Sequence, residues 1–293
     1  MILNTENEFI SLSVKEAGGS MASIFDKKRN KEMLYQPLPD SWQGQDIFIF
    51  PFVARLVEGT YTLDNKTYAL KNHGLIRYMN GKGVKKDNGD IEVSFASDEE
   101  TLKRYPFAWH ALSHYHLEKN EVHVSYTIYN DNDKEMPFMV GGHPAFKVPG
   151  ERKESEFDFS GTYLTFPKKM QLYRVEQEDT FSFNTGVSGF GMTDRINLDK
   201  AFFRKINTVI LIAEDFEEVT LHKRDGSLLT MHKGKAPYLA IWSDTKFGDY
   251  VAIEPWYGIP DTLPVKKEFT QKAGMNFLLP HQSETFSYYV TLD

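Results

Sequence analysis

Between residues 121 and 129, apolar and polar side chains alternate with a period of two. Val122, Val124, Tyr126 and Ile128 occupy one set of positions, and mostly polar residues occupy the other. Successive side chains of a β-strand point to opposite faces of the sheet. The pattern therefore predicts a strand with one buried face and one face turned toward solvent.

Turn signals separate further short segments of this kind. Arg224-Asp225-Gly226-Ser227 stands between Val219–His222 and Leu228–His232, and Asp-Gly is a strong signal for a β-hairpin. Asp64-Asn65-Lys66 stands between two segments, 61–63 and 67–70, and predicts a second hairpin. The apolar run Thr208–Ala213 predicts a short strand that is buried on both faces.

Helical periodicity is scarce in this sequence. Asp98–Arg104 predicts one or two helical turns, and no other segment follows a period of 3.6 residues. Many short strands separated by turns favour an all-β fold, here a large antiparallel β-sandwich. No linker, low-complexity tract or internal repeat interrupts the chain, so we predict a single domain over residues 1–293.

Charge and composition exclude several classes of function. The formal net charge is −7, from 34 basic and 41 acidic residues, so we expect neither nucleic acid nor a membrane as a partner. The sequence contains no cysteine, which excludes disulfides, thiolate metal sites and a cysteine nucleophile. The N-terminal residues lack the pattern of a signal peptide, and we expect a cytoplasmic protein.

The segment 249–258 carries a carboxylate and an indole that share one face of a predicted strand. Alternation places Glu254 and Trp256 together and points Val251 and Ile253 toward the core. A carboxylate beside an aromatic surface suits a general base next to a platform for sugar stacking. A glutamate that simply faces solvent at the end of a strand explains the same pattern, and on alternation alone it is the favoured interpretation.

Two other segments bring histidine and arginine into settings that suit a binding site. His143 lies between Gly142 and Pro144, where the backbone is restricted, so it is a candidate general acid. A turn in which the histidine binds a backbone carbonyl fits that segment equally well. His73 and Arg77 lie four residues apart, and Arg55 lies upstream; all three are suited to donate hydrogen bonds to hydroxyl or phosphate groups.

His114 and His116 share a face on a predicted strand and form a candidate pair of metal ligands. The sequence offers no third ligand nearby, and surface exposure is the favoured interpretation of the pair. We therefore expect no metal and no other cofactor.

Taken together, these segments resemble the aldose 1-epimerase (galactose mutarotase) family, and most of all its LacX-like branch. The resemblance extends over nearly the whole chain. The segments that carry it are Ala17-Gly18-Gly19-Ser20-Met21-Ala22-Ser23-Ile24, Phe50-Pro51-Phe52-Val53-Ala54-Arg55-Leu56, Asn72-His73-Gly74-Leu75-Ile76-Arg77, Gly141-Gly142-His143-Pro144-Ala145-Phe146 and Ile253-Glu254-Pro255-Trp256-Tyr257-Gly258. The last two segments are the most specific.

The resemblance implies an enzyme that interconverts the α and β anomers of an aldohexose in an open cleft of a large β-sandwich. It implies that Glu254 is the general base and His143 the general acid, and that His73 and Arg55 bind or polarise the sugar. Members of the family also hold sugar hydroxyls with an aspartate, for which Asp199 is the nearest candidate here. Arg77 and Trp256 complete the predicted substrate-binding set.

Three alternatives remain open at this level. The chain departs from the family pattern at Leu75-Ile76 and at Ala54, which puts the identity of the sugar in doubt. Arg55 and Arg77, with Lys82, Lys85 and Lys86 following, are compatible with a hexose 6-phosphate, although a solvated loop explains the lysines better. A carbohydrate-binding or sensing protein of the same fold is the third alternative, and either a monomer or a homodimer is expected.

Overall fold

The computed structural model describes residues 1–177 and 184–293. Its described strands pair antiparallel throughout, in one sheet of 15 strands, one of four and three of two. The prediction of an all-β, antiparallel fold is confirmed. The single-domain boundary stays a prediction.

The described strands, in chain order, are β1 (Ile2–Glu6), β2 (Ile10–Lys15), β3 (Ser20–Asp26), β4 (Lys31–Glu32), β5 (Phe48–Ile49), β6 (Thr60–Leu63), β7 (Lys66–Ala69), β8 (Lys82–Lys85), β9 (Ile91–Ala96), β10 (Trp109–Glu118), β11 (Glu121–Asn130), β12 (Met136–Phe138), β13 (Val140–Gly142), β14 (Ala145–Lys147), β15 (Glu151–Arg152), β16 (Phe157–Asp158), β17 (Thr162–Gln177), β18 (Asn184–Leu198), β19 (Val209–Ile212), β20 (Glu218–His222), β21 (Leu228–His232), β22 (Tyr238–Trp242), β23 (Tyr250–Tyr257), β24 (Asn276–Leu278) and β25 (Ser283–Leu292). The helices are α1 (Glu99–Leu102) and α2 (Lys200–Ile206), with single 3₁₀ turns at Val57–Gly59, Ile76–Tyr78 and Phe269–Gln271.

The period-two segment of the sequence forms β11, as predicted. Val122, Val124, Tyr126 and Ile128 are at most 1% exposed, while the residues between them are half-buried. Strand β11 pairs with β10 on one side and with β25 on the other. Its buried face packs into the main hydrophobic core because the alternating apolar residues all point to that side.

Both predicted hairpins are present. β20 and β21 pair across the Asp225-Gly226 turn, with His222 opposite Leu228. β6 and β7 pair across a two-residue turn in which Asp64 and Asn65 have φ angles of 51° and 60°. Positive φ at both central positions is the geometry that matches the right-handed twist of the flanking strands.

The two helices differ in how well the sequence predicts them. α1 begins after Asp98, whose side chain accepts a hydrogen bond from the Thr101 N–H, and the Thr101 hydroxyl in turn accepts one from the Asp98 N–H. The predicted turn at Asp98–Arg104 is therefore confirmed. α2 was not predicted, because seven residues are too few to display a helical period against a background of strands.

Strand β23 lies within the large sheet and has neighbouring strands on both edges. It pairs with β13 and β14 on one edge and with β22 on the other. Seven of its eight residues are buried, so both of its faces are covered. None of the helices in the described ranges is long and apolar enough to span a membrane.

Candidate active site

A cleft of about 320 Å³ opens beside the strands β13, β22 and β23. Five aromatic or imidazole side chains and several cationic and amide side chains surround it. The residues that line the cleft are Trp42, Ile47, Ala54, Arg55, Asn72, His73, Arg77, His143, Gln177, Asn207, Thr208, Ile210, Trp242, Glu254, Trp256 and Pro260. Six of the seven predicted site residues are thus brought to one cleft, although they come from distant parts of the sequence.

Glu254 lies in β23 opposite Ala240 and is only 1% exposed. The solvent-facing glutamate favoured by alternation alone is therefore wrong. Burial raises the pKa of Glu254 well above its ordinary value, the Trp256 indole opposes this effect, and the charge of Asp46 adds to it. The Oε2 atom of Glu254 accepts no hydrogen bond from the described residues.

His143 follows β13 directly and is 5% exposed. The preceding Gly142 has no room for a side chain, because a Cβ there would lie 2.7 Å from Cε1 of Tyr288. Nε2 of His143 lies 3.2 Å from Oε2 of Glu254. Burial lowers the pKa of His143 to about 3, and the Arg77 charge contributes to the shift.

His73 lies against His143, with their rings edge to face at a centroid distance of 5.2 Å. Its φ angle of 60° places it in a tight turn, where its N–H donates to the Ala54 carbonyl at 2.8 Å. The Ala54 N–H in turn donates to Nδ1 of His73 at 3.2 Å. Since Nδ1 accepts, the ring proton is assigned to Nε2. Burial, with the nearby His143, Arg77 and Arg55, holds the pKa of His73 well below its ordinary value.

Two arginines give the cleft a positive charge. Arg77 belongs to the 3₁₀ turn after His73, and its guanidinium lies 5.0 Å from the centroid of the Tyr78 ring. Burial lowers the pKa of Arg77. Arg55 lines the same cleft from the loop that follows Pro51. Both side chains are suited to donate hydrogen bonds to oxygens of a ligand.

Aromatic side chains form much of the cleft wall. Trp256 was expected from the sequence, and its Nε1 atom is buried without a hydrogen-bond partner among the described residues. Trp42 and Trp242 were not expected; their rings meet edge to face at 5.4 Å, and both lie within 6 Å of the His143 ring. Aromatic faces of this kind suit the apolar faces of a sugar ring.

Asp199 has a different position from the other predicted residues. It caps the N-terminus of α2, where its Oδ1 accepts a hydrogen bond from the Phe202 N–H at 2.7 Å. It does not line the cleft. The amide side chains that do line it are Asn72, Gln177 and Asn207, and neither polar atom of the Gln177 amide has a hydrogen-bond partner within the described ranges.

Two aspartates close to Glu254 in the sequence form ion pairs elsewhere. Asp261 forms a buried ion pair with Lys272, whose Nζ lies 2.8 Å from both carboxylate oxygens. Asp249 lies 3.6 Å from Lys147. Neither aspartate lines the cleft, which leaves Glu254 as the carboxylate among the described residues that line it.

The remaining charged motifs of the sequence also lie outside the cleft. Nε2 of His114 lies 2.9 Å from Oδ2 of Asp90, and Nδ1 of His116 lies 2.7 Å from Oδ1 of Asp90. The two histidine side chains are 36% and 44% exposed. Lys82, Lys85 and Lys86 are exposed on and beside β8. None of these residues lines the cleft. The lysines therefore do not extend the positive charge supplied by the arginines.

Comparison with known proteins places this chain in a family. The aldose 1-epimerase family matches residues 1–285 of the chain. Protein LacX of Lactococcus lactis subsp. lactis, in its plasmid-encoded form, is 25% identical over 308 residues, covering all of this chain and 99% of its own length.

Two solved structures share the fold over their whole length. A galactose mutarotase related enzyme from Lactobacillus acidophilus has a TM-score of 0.92 and 26% identity, covering 100% of this chain and 97% of that one. A galactose mutarotase-like protein from Lactobacillus casei has a TM-score of 0.91 and 26% identity, with both chains fully covered. The resemblance seen in the sequence is confirmed: the chain belongs to the aldose 1-epimerase family, in its LacX-like branch.

Proposed function

We propose that the protein is an aldose 1-epimerase that interconverts the α and β anomers of an aldohexose at the Glu254–His143 pair. The observation that carries the proposal is the approach of two buried titratable groups, Nε2 of His143 and Oε2 of Glu254, to 3.2 Å inside a cleft with aromatic walls. A buried carboxylate beside an imidazole, both with strongly shifted pKa values, is typical of acid–base catalysis.

The chemistry requires two proton transfers. Glu254 takes the proton from the hydroxyl on C1, the bond between C1 and the ring oxygen breaks, and His143 gives its proton to the ring oxygen. Rotation about the C1–C2 bond of the open-chain aldehyde turns the other face of the carbonyl toward the ring hydroxyl. Closure reverses both transfers, so the enzyme ends with the protons with which it began.

The closeness of the two side chains suits this reaction. The departing ring oxygen and the C1 hydroxyl are attached to the same carbon, so one adjacent acid–base pair reaches both. The reaction needs a pair that holds one proton in total. Burial favours the neutral forms of both groups, which keeps a single proton on the pair; the reaction begins once that proton has passed from Glu254 to His143 across the 3.2 Å contact.

The remaining cleft residues support sugar binding. Nε2–H of His73 and the guanidinium groups of Arg55 and Arg77 are donors for hydroxyl oxygens, and Gln177 supplies both a donor and an acceptor. We propose that the indoles of Trp42, Trp242 and Trp256 take the apolar faces of the ring. Asp199, as a helix cap outside the cleft, is not part of this proposal.

Glycoside hydrolysis is disfavoured by the same observations. Most glycosidases place two carboxyl groups on either side of the bond that is cleaved. Here Glu254 is paired with a histidine, and the nearby Asp249 and Asp261 form ion pairs outside the cleft.

A hexose 6-phosphate is a second candidate substrate, favoured by the two arginines that line the cleft. Guanidinium groups bind phosphate through paired hydrogen bonds. KM measurements distinguish the two candidate substrates. If the hexose 6-phosphate is the substrate, Arg55→Gln and Arg77→Gln are expected to raise KM for the phosphate ester much more than KM for the free hexose.

Polarimetry tests the proposal directly. Freshly dissolved α-D-glucose, α-D-galactose and a hexose 6-phosphate are each followed with and without the protein. Faster relaxation to an unchanged equilibrium rotation, abolished in Glu254→Gln, is expected for at least one sugar. If the protein accelerates the mutarotation of none of these sugars, and calorimetry shows that it binds one of them, the protein is a sugar-binding protein and not an enzyme.

A further inference from the structure

A buried carboxylate outside the cleft, Asp46, belongs to a segment that runs beside the residues around His143. Asp46 is 4% exposed and stands just before β5, in a segment that runs beside the chain around His143. Phe48 pairs with Gly142, and the Ala145 N–H donates to the Gln45 carbonyl at 2.9 Å. These two contacts bracket His143 and place Asp46 against the strand connection that carries it.

The hydrogen bonds of Asp46 are few for a buried carboxylate. Its Oδ2 accepts the Met21 N–H at 2.9 Å, and its Oδ1 accepts no well-aligned hydrogen bond from the described residues. The backbone amides of Met21, Ile47 and His143 lie close enough to oppose the effect of burial, which nevertheless raises the pKa of Asp46 to about 6. At neutral pH and above, the group is therefore mostly ionised.

The charged and titratable groups that face Asp46 come from several strands. Lys15 of β2 is the nearby cation, but its Nζ donates to Oε1 of Gln45 at 2.9 Å rather than to Asp46. The Asp46 charge raises the pKa of the phenols of Tyr115, Tyr126 and Tyr288.

None of these tyrosines requires a carboxylate for its own hydrogen bonding. The Tyr115 hydroxyl donates to the Gly19 carbonyl at 2.5 Å, and the hydroxyls of Tyr126 and Tyr288 lie 3.4 Å apart. The one well-aligned hydrogen bond of Asp46, from the Met21 N–H, is within the reach of a neutral side chain as well. An ionised group with so little direct compensation is costly to bury, so packing alone does not account for it.

Among the described residues, the Asp46 charge also raises the pKa of Glu254. We propose that Asp46 is a positioning residue for the proposed epimerase reaction: it braces the segment that carries His143 and, through its negative charge, keeps the shared proton on the Glu254–His143 pair. This inference rests on the proposed function for its kinetic consequence only.

The charge acts in a defined direction. A negative group near Glu254 disfavours a second negative charge, so it raises the pKa of Glu254 and delays the loss of the last proton from the pair as the pH rises. Tight burial makes this effect stronger than it would be at the surface. Without the Asp46 charge, the pair loses its proton at a lower pH.

The test compares Asp46→Asn and Asp46→Ser with Asp46→Glu, which restores the charge, and with Asp249→Asn. Asp249 is a matched control because it is also buried and its pKa is also raised by burial, whereas its charge is not one of the causes that raise the pKa of Glu254. The pH profile of kcat/KM is measured by polarimetry. The neutral variants are expected to move the alkaline limb down by about half a unit or more, which lowers activity on that flank at least about threefold.

A second measurement does not depend on turnover. The ¹³C signal of the Glu254 carboxyl, assigned by its loss in Glu254→Gln, is titrated in the wild type and in each Asp46 variant. The neutral variants are expected to titrate at lower pH, and Asp46→Glu and Asp249→Asn close to the wild-type pH. Two neutral replacements of different size ensure that a folding defect in one does not end the experiment.

Unchanged titration of Glu254 in both neutral variants would overturn the inference, as would an equal shift in Asp249→Asn. A wild-type protein that accelerates no sugar would refute the proposed function instead, and the carboxyl titration would still decide the role of Asp46.

Discussion

Nε2 of His143 and Oε2 of Glu254 lie 3.2 Å apart although β13 and β23 are distant in the sequence. Gly141 pairs with Trp256 across these two strands, so the residues that follow β13 return toward the middle of β23. Both residues are at most 5% exposed. The sheet register thus creates a buried carboxylate–imidazole pair that neither segment contains by itself.

Replacing Glu254 by glutamine removes the proposed base while keeping the shape of the side chain. Turnover is expected to fall by about 10² to 10⁴, the typical contribution of a general acid–base group. The fold is expected to persist, because a neutral amide is easier to bury than a group whose burial disfavours its charge. Polarimetry measures the turnover of Glu254→Gln, and a thermal melt checks its fold. Wild-type rates in a folded variant would remove Glu254 from the mechanism.

The rate is expected to follow a bell-shaped pH profile. The reaction needs one proton on the Glu254–His143 pair, so kcat/KM falls toward acid as the pair gains a second proton, and toward alkali as it loses the last one. Burial lowers the pKa of His143 to about 3 and raises that of Glu254. The alkaline limb is therefore expected above the ordinary range for glutamate. If the alkaline limb stays unchanged in Glu254→Gln, that limb belongs to another titratable group.

Asp199→Ala separates a helix cap from a sugar ligand. Loss of the hydrogen bond from the Phe202 N–H is expected to lower the free energy of unfolding by about 1 kcal/mol. KM and kcat are expected to stay within about twofold of the wild type, because Asp199 does not line the cleft. Chemical denaturation and polarimetry measure the two effects; a large rise in KM would return Asp199 to the substrate site.

Gly142→Ala tests the packing that holds His143. The added methyl group would lie 2.7 Å from Cε1 and 3.0 Å from the hydroxyl of Tyr288, so one of the two segments has to move. Overpacking of this kind is expected to destabilise the protein by about 1 to 3 kcal/mol and to lower kcat through His143. Gly189→Ala is the control, since its nearest neighbour is the end of the Gln171 side chain at 3.3 Å. Equal stability of the two variants would contradict the close packing at Gly142.

The elements that the sequence predicted correctly are those coded by local patterns. The alternation of β11 follows from one covered face, and the turns at Asp64-Asn65 and Asp225-Gly226 follow from the backbone angles those residues adopt. α2 was missed because a seven-residue helix is held by its cap and its packing rather than by a visible period.

The site was predicted unevenly for a physical reason. Six residues expected from their motifs line the cleft, and Trp42, Trp242 and Gln177 join them from segments with no recognisable pattern. The sequence offers one weak signal for Trp42, namely a tryptophan between two polar residues, Ser41 and Gln43. Asp199 shows the converse, since an aspartate before a short helix is equally suited to capping it.

The sequence by itself determined the all-β class, the hairpins and the family, because strand alternation, turn chemistry and the motifs around His143 and Glu254 are local properties of the chain. The tertiary structure alone decided that Glu254 is buried rather than solvated, and that the segment of the buried Asp46 lies beside the residues around His143. Burial and electrostatic coupling depend on which segments cover a side chain, and those segments meet only when the sheet assembles.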